Sequence, residues 1–245
     1  MLSEKPWQTE RVLQLGAALF FSFFMGGLTA VFLKHFKVAG FQQQEDFGYM
    51  VLGTLSIQGL IWLLIPIFLW LHRITLAEAF GFRSPAVRRA LRLALLSFVV
   101  ILPAVWLLQL GSVTVFTWLG YPPDDQLPIQ MLKNAKSWWT RGYLALFAVV
   151  LAPVAEEFIF RGVLYPFIKQ LGWPRLALFG VSLLFAAIHL DKATFLPLFV
   201  LALALTWLYE KTDTLFAPIL VHALFNTANL LMLVLMYLDV LPTTK

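Results

Sequence analysis

Apolar residues fall along this chain in long runs separated by short charged stops, at 12–33, 47–71, 93–119, 142–168, 176–190, 193–209 and 215–238. A bilayer core about 30 Å thick takes about 20 helical residues, so the pattern predicts a series of membrane spans. The first three runs contain no formal charge. The first is longer than a signal-peptide core and ends in Lys34 rather than at a small-residue cleavage site, which predicts a retained anchor. The fifth run, with 15 residues, is short for a span and is expected to be tilted or re-entrant. Pro103, Pro153, Pro166, Pro197 and Pro218 lie in or beside the runs, where each removes a backbone donor and favours a kink or half-span. The expected fold is all-α, a polytopic membrane helix bundle of seven to eight transmembrane helices. Its expected parts are an N-terminal segment of three spans (1–141) and a core of four spans (142–238), forming one structural unit.

Charge supplies an orientation. Arg73, Arg83, Arg88, Arg89 and Arg92 crowd the loop between the second and third runs against a single acid, Glu78, which marks that loop and the N-terminus as cytoplasmic. The same parity puts Lys169 and Arg175 inside and Asp124 and Asp125 outside. Residues 74–82 read either as a short amphipathic helix whose Leu76, Ala79 and Phe80 would lie in the headgroup layer or, equally, as an ordinary loop. The connection 121–141 reads as polar, and its Trp138 and Trp139 as interfacial anchors.

Composition agrees with a multi-pass protein of a bacterial or organellar membrane. Hydrophobic residues make up 60% and charged residues 13%, with a mean hydropathy of +0.82, far from the mix of a soluble domain. The net charge of +5 is spread over the loops and forms no clustered face for nucleic acid, so no nucleic-acid partner is expected. With no cysteine, neither a disulfide, a thiolate metal site nor a thiol nucleophile exists.

Against this background the informative residues are the polar ones inside the runs. The fourth run holds Glu156, Glu157 and Arg161, the fifth Phe185 and His189, and the seventh His222 and Asn226. An ionisable group in a span is expensive and points to function or to a specific partner. Glu157 and Arg161 are four apart and share a helical face, whereas Glu156 lies about 100° round the helix and is excluded from that contact. Glu157 is therefore expected to fix the guanidinium, leaving Glu156 desolvated beside a like charge and suited to act as a general base. His222 and Asn226, also four apart, place a ring nitrogen and an amide on one face, as side-chain donors to an oxyanion would be. Pro153 frees the carbonyl of Val149, which suits an opened, hydrated site.

At these residues the chain resembles the CPBP family of intramembrane CAAX proteases and bacteriocin-processing enzymes, which includes the type II CAAX prenyl endopeptidases. Three motifs carry the resemblance in order: EExxxR at Glu156, Glu157 and Arg161, FxxxH at Phe185 and His189, and HxxxN at His222 and Asn226. It spans residues 142–238. It implies a glutamate-dependent intramembrane endopeptidase of membrane-associated peptides or proteins. In that reading Glu156 and His189 activate a water, His222 and Asn226 stabilise the tetrahedral intermediate, and Glu157 and Arg161 orient the site. Its partners are then the substrate and the lipid bilayer, and no cofactor is expected. A zinc site is disfavoured because HExxH is absent, although ligands from separate helices would suit the metal. A proton-coupled transporter and a non-catalytic membrane scaffold are the alternatives; against the transporter, no internal repeat is visible.

Overall fold

The computed structural model describes residues 2–39, 41, 47–82, 84–123, 127–135 and 137–237. Arg83, Asp124, Asp125 and Leu238 lie outside the described residues. The described residues form an all-α membrane bundle with nine helices: α1 (Thr9–His35), α2 (47–71), α3 (Leu76–Phe80), α4 (Ser84–Trp118), α5 (Leu127–Asn134), α6 (Trp138–Gln170), α7 (Pro174–Ala187), α8 (Lys192–Thr212) and α9 (Phe216–Tyr237). Five of them, α1, α4, α6, α8 and α9, are long and apolar enough to cross a membrane. This makes the chain an integral membrane protein, while helix length alone stops short of the expected seven or eight spans. The apolar part of α2 is Leu60–Leu71 and α7 has 14 residues, so α7 rises only about 21 Å, less than the bilayer core.

Lipid-type packing explains which faces are apolar outside. Phe20, Phe21, Val31, Val99, Val100 and Leu107 are all more than 60% exposed, a pattern that only a hydrocarbon surround makes favourable. The protein's own core is built mainly on α6 and α8, the helices with the largest buried share.

Two helix-register changes shape α6. It passes through π-helical turns at Phe147–Leu151 and Phe158–Leu164, each followed two residues later by a proline, Pro153 and Pro166. A proline cannot supply its N–H to the carbonyl behind it, and a wider turn relieves the ring clash while leaving carbonyls for other donors. The indole of Trp7 donates to the Gly162 carbonyl, within the second π turn, at 2.9 Å. Trp7 is buried against Phe68 and His72 of the α2 end, with ring centroids 5.0 and 5.3 Å away. The residues before α1 are thereby pinned to α6, and Lys5, buried, pairs with Asp213 just beyond α8 at 3.3 Å.

α3 forms where the amphipathic pattern placed it, under a capping box between Thr75 and Glu78. Its apolar residues face protein rather than lipid headgroups: Ala79 and Phe80 are fully buried, and only Leu76 is exposed. Phe80 stacks on Phe158 at 4.8 Å and fills the space left by Gly162 of α6, where a Cβ would stand 2.6 Å from the Phe80 ring. Gly81 ends α3 at φ +72°, so close to the α8–α9 turn that a Cβ would meet the Asp213 carbonyl oxygen at 2.2 Å. Gly81→Ala combines a left-handed backbone with that clash and is expected to cost about 2 kcal/mol or more. Thermal unfolding in detergent measures it; an unchanged midpoint would show that α3 is not docked on this turn.

The polar connection 121–141 contains a helix that its composition conceals. In α5 Met131 is buried, and with Ala135, just past the helix end, it packs on Met50 and Leu144.

Candidate active site

Three helices bring the motif residues together. On α6, Glu157 and Arg161 are fully buried and joined by a 2.8 Å ion pair, the (i, i+4) contact expected from their spacing. The guanidinium is held further by a 3.1 Å hydrogen bond from Nη2 to the carbonyl of Ala202 on α8, which also accepts from Thr206 at 2.9 Å. Phe185 of α7 lies under the guanidinium at 4.7 Å. Arg161 is thus clamped on three sides, by a charge, a backbone dipole and an aromatic face.

From α9, His222 reaches between the two glutamates. Its Nδ1 is 3.0 Å from Glu157 Oε1 and its Nε2 is 3.8 Å from Glu156 Oε2. An ionised carboxylate can only accept, so Nδ1 carries the hydrogen and donates to Glu157, and Nε2 is the edge turned toward Glu156. The separation of 3.8 Å exceeds a direct hydrogen bond. It suits an intervening polar atom. Glu156 and Glu157 are adjacent in sequence and unlike in surroundings: the Glu157 side chain is sealed in, while that of Glu156 is 17% exposed.

His189 stands just past the C-terminal end of α7 and is exposed. Its Nδ1 donates to the Phe185 carbonyl at 2.7 Å, leaving Nε2 as the outward edge. Phe185 is the common neighbour of both histidines, with centroids 4.9 Å from His189 and 5.7 Å from His222. Among the described residues no ion pair links His189 to either glutamate, so His222 is the histidine that the fold brings to Glu156.

Asn226, one turn beyond His222, donates from Nδ2 to the carbonyl of Ala148 at 2.8 Å. The reason lies in the first π turn. Pairing there runs five residues back, as the Ala152 N–H to Phe147 carbonyl bond shows, so the carbonyl left without a donor by Pro153 is that of Ala148 and not that of Val149. Asn226→Ala would strand this carbonyl, and a loss of about 1–3 kcal/mol of stability is expected. A thermal midpoint equal to wild type would mean that the contact carries no weight.

Sequence reasoning missed the Ala202 carbonyl, since a backbone acceptor leaves no mark in composition or spacing. It also missed Trp7, for which the only signal was a buried-type aromatic before the first span. As to metals, among the described residues no three His, Asp or Glu side chains are close enough to ligate one ion, and the Glu157 carboxylate is already committed to Arg161.

The comparisons with known proteins fall on this same region. Residues 137–228 match the family described as type II CAAX prenyl endopeptidase Rce1-like. The chain carries an Rce1-like segment. It begins one residue before α6 and ends within α9, so it takes in every motif residue: Glu156, Glu157, Arg161, Phe185, His189, His222 and Asn226. The chain is also similar to the UPF0177 protein YaiF of Lactococcus lactis subsp. lactis (strain IL1403), 38% identical over 82 residues. That stretch is 32% of this chain and 35% of YaiF, so the match spans about a third of the length of the relative. No solved structure matches the chain. The Rce1-like segment leaves out α1 to α5 and the residues before them; this part of the chain contributes to the site's surroundings through Trp7, which precedes α1, and Phe80 of α3, both packed on α6.

Proposed function

We propose that the chain is an intramembrane endopeptidase of the CAAX-protease type, hydrolysing a peptide bond of a membrane-associated protein or peptide through a water activated by Glu156. The observation that carries this reading is His222 set between two inequivalent glutamates, donating to the sealed, Arg161-paired Glu157 and facing the accessible Glu156. Glu157 and Arg161 orient the imidazole; Glu156 is left for chemistry.

A water between Glu156 and the Nε2 edge of His222 gives a proton to the Glu156 carboxylate as its oxygen adds to the scissile carbonyl. The carbonyl π pair moves to oxygen, making a tetrahedral oxyanion. The second N–H of Asn226, the one not used on Ala148, is the side-chain donor available to that charge. His189, whose outward Nε2 edge is left by the bond from Nδ1 to the Phe185 carbonyl, is assigned to the same water. Collapse breaks the C–N bond, and the proton held by Glu156 goes to the leaving nitrogen, yielding a carboxylic acid and an amine and returning Glu156 to its carboxylate form. No step requires a metal, and activity is expected to persist in a strong chelator.

Support also comes from the match of residues 137–228 to the Rce1-like family. The test is incubation of the full chain in liposomes with a library of membrane-associated peptides in water enriched in oxygen-18. One labelled oxygen in each newly formed carboxyl group is expected. Failure to cleave any member, or cleavage through a trapped acyl-enzyme, would overturn the reading.

A further inference from the structure

Away from the motif residues, α4 and α8 pack side by side and leave an open groove of about 410 Å³ on the outer face of the bundle, lined by Leu96, Ser97, Val100, Ile101, Ala204 and Trp207. Leu96, Val100 and Trp207 are exposed along it, as a surface in contact with hydrocarbon would be. We propose that this groove is a specific site for an anionic phospholipid, one acyl chain lying in the groove and the headgroup phosphate held by Arg88, Arg92 and Lys211.

Helix geometry places the three cations at one end of the groove. Arg88 and Arg92 precede Leu96 by two turns and one turn on the same face of α4, so Arg92 stands about 6 Å from Leu96 along the axis. Lys211 follows Trp207 by one turn on α8. The two helices run in opposite directions here. The Leu215 N–H donates to the Phe80 carbonyl at 2.9 Å, and Gly81 abuts Asp213, so the end of α8 lies beside the α3–α4 junction from which α4 departs. Arg88, Arg92 and Lys211 therefore converge at the same end, where the apolar lining gives way to charge. All three are exposed, and among the described residues none has an acidic partner. Unpaired cations at the mouth of an apolar groove between spans match a headgroup phosphate above an acyl chain. A zwitterionic lipid carries its own cation to the same place and gains less.

Each cation is worth about fivefold in affinity for an anionic surface, so removing all three is expected to weaken binding by about 100-fold. The experiment is native mass spectrometry and thermal unfolding of the full chain, delipidated in detergent and titrated with phosphatidylglycerol or phosphatidylcholine of identical chains. Phosphatidylglycerol is expected to be retained and to raise the midpoint, phosphatidylcholine much less. R88Q/R92Q/K211Q, exposed substitutions compatible with folding, is expected to erase the difference between the lipids. Glycerophosphoglycerol, the same headgroup without chains, is expected to leave the midpoint unchanged, and A204F, which fills the groove, to lose lipid retention. Equal retention of the two lipids, or wild-type discrimination by the triple variant, would overturn the site. Equal stabilisation by the chain-free headgroup would overturn the part played by the groove. If A204F fails to fold, the triple variant and the headgroup comparison still decide.

Discussion

Glu156→Gln is expected to lower peptide cleavage by about 10²–10⁴-fold, the range that general-base catalysis supplies, with little change in folding. The amide keeps the shape of the side chain and removes the lone-pair basicity that takes a proton from water. Folding is spared because, among the described residues, Glu156 makes no close side-chain hydrogen bond; its ion-pair partner there is His222 Nε2 at 3.8 Å. The readout is kcat on a peptide found in the library screen, beside the unfolding midpoint in the same detergent. Glu157→Gln should do the reverse in order of severity, harming the fold first. Cleavage by Glu156→Gln at the wild-type rate would remove Glu156 from the chemistry, and with it the proposed mechanism.

The second large effect concerns the buried ion pair. Arg161→Met leaves the Glu157 carboxylate fully buried with its main counter-charge gone, and is expected to cost about 3–5 kcal/mol. The Ala202 carbonyl loses a donor in the same step, and Oε2 of Glu157 has no protein partner among the described residues to compensate. Replacing both partners with apolar residues, E157L/R161M, removes the stranded charge and is expected to recover most of the stability. Activity should not recover with it, because His222 has then lost the carboxylate that fixes its Nδ1–H and turns Nε2 toward Glu156. Stability and activity regained together would mean that the pair serves packing alone. A double variant as unstable as Arg161→Met would mean that the cost came from lost contacts rather than from the unpaired charge.

Much of the architecture is legible in the order of residues because the bilayer imposes a simple rule: backbone polar groups must be satisfied within helices, and apolar runs must match its thickness. Runs at 12–33, 193–209 and 215–238 become α1, α8 and α9 nearly end to end. The half-length α7 follows from a run of 15 residues. Local chemistry also decides the Glu157–Arg161 contact, since four residues of helix bring those side chains together whatever surrounds them. Elsewhere the same reasoning stops short. A polar connection hides α5, because Met131 finds its partners Met50 and Leu144 from other parts of the chain. Phe80, amphipathic by position, has a protein pocket made by Gly162 and Phe158 and so does not lie in lipid headgroups. The carbonyl freed by Pro153 is displaced by one residue from Val149 to Ala148 because the turn is π-helical, and a register change of that kind depends on what the neighbouring helix offers.

The division between the two levels is clearest at the histidines. Sequence alone determined that this protein lives in a membrane, that its helices carry acids, a guanidinium and imidazoles where lipid excludes them, and that one glutamate of the pair must be tied to arginine. Those properties depend on composition and on helical spacing over a single turn. Only the tertiary structure decided that His222, 65 residues from Glu157, sits between both carboxylates while His189 remains at the exposed end of α7. Which of two similar side chains reaches a given acid depends on the packing of α6, α7 and α9 against one another, and no local pattern in the chain encodes that distance.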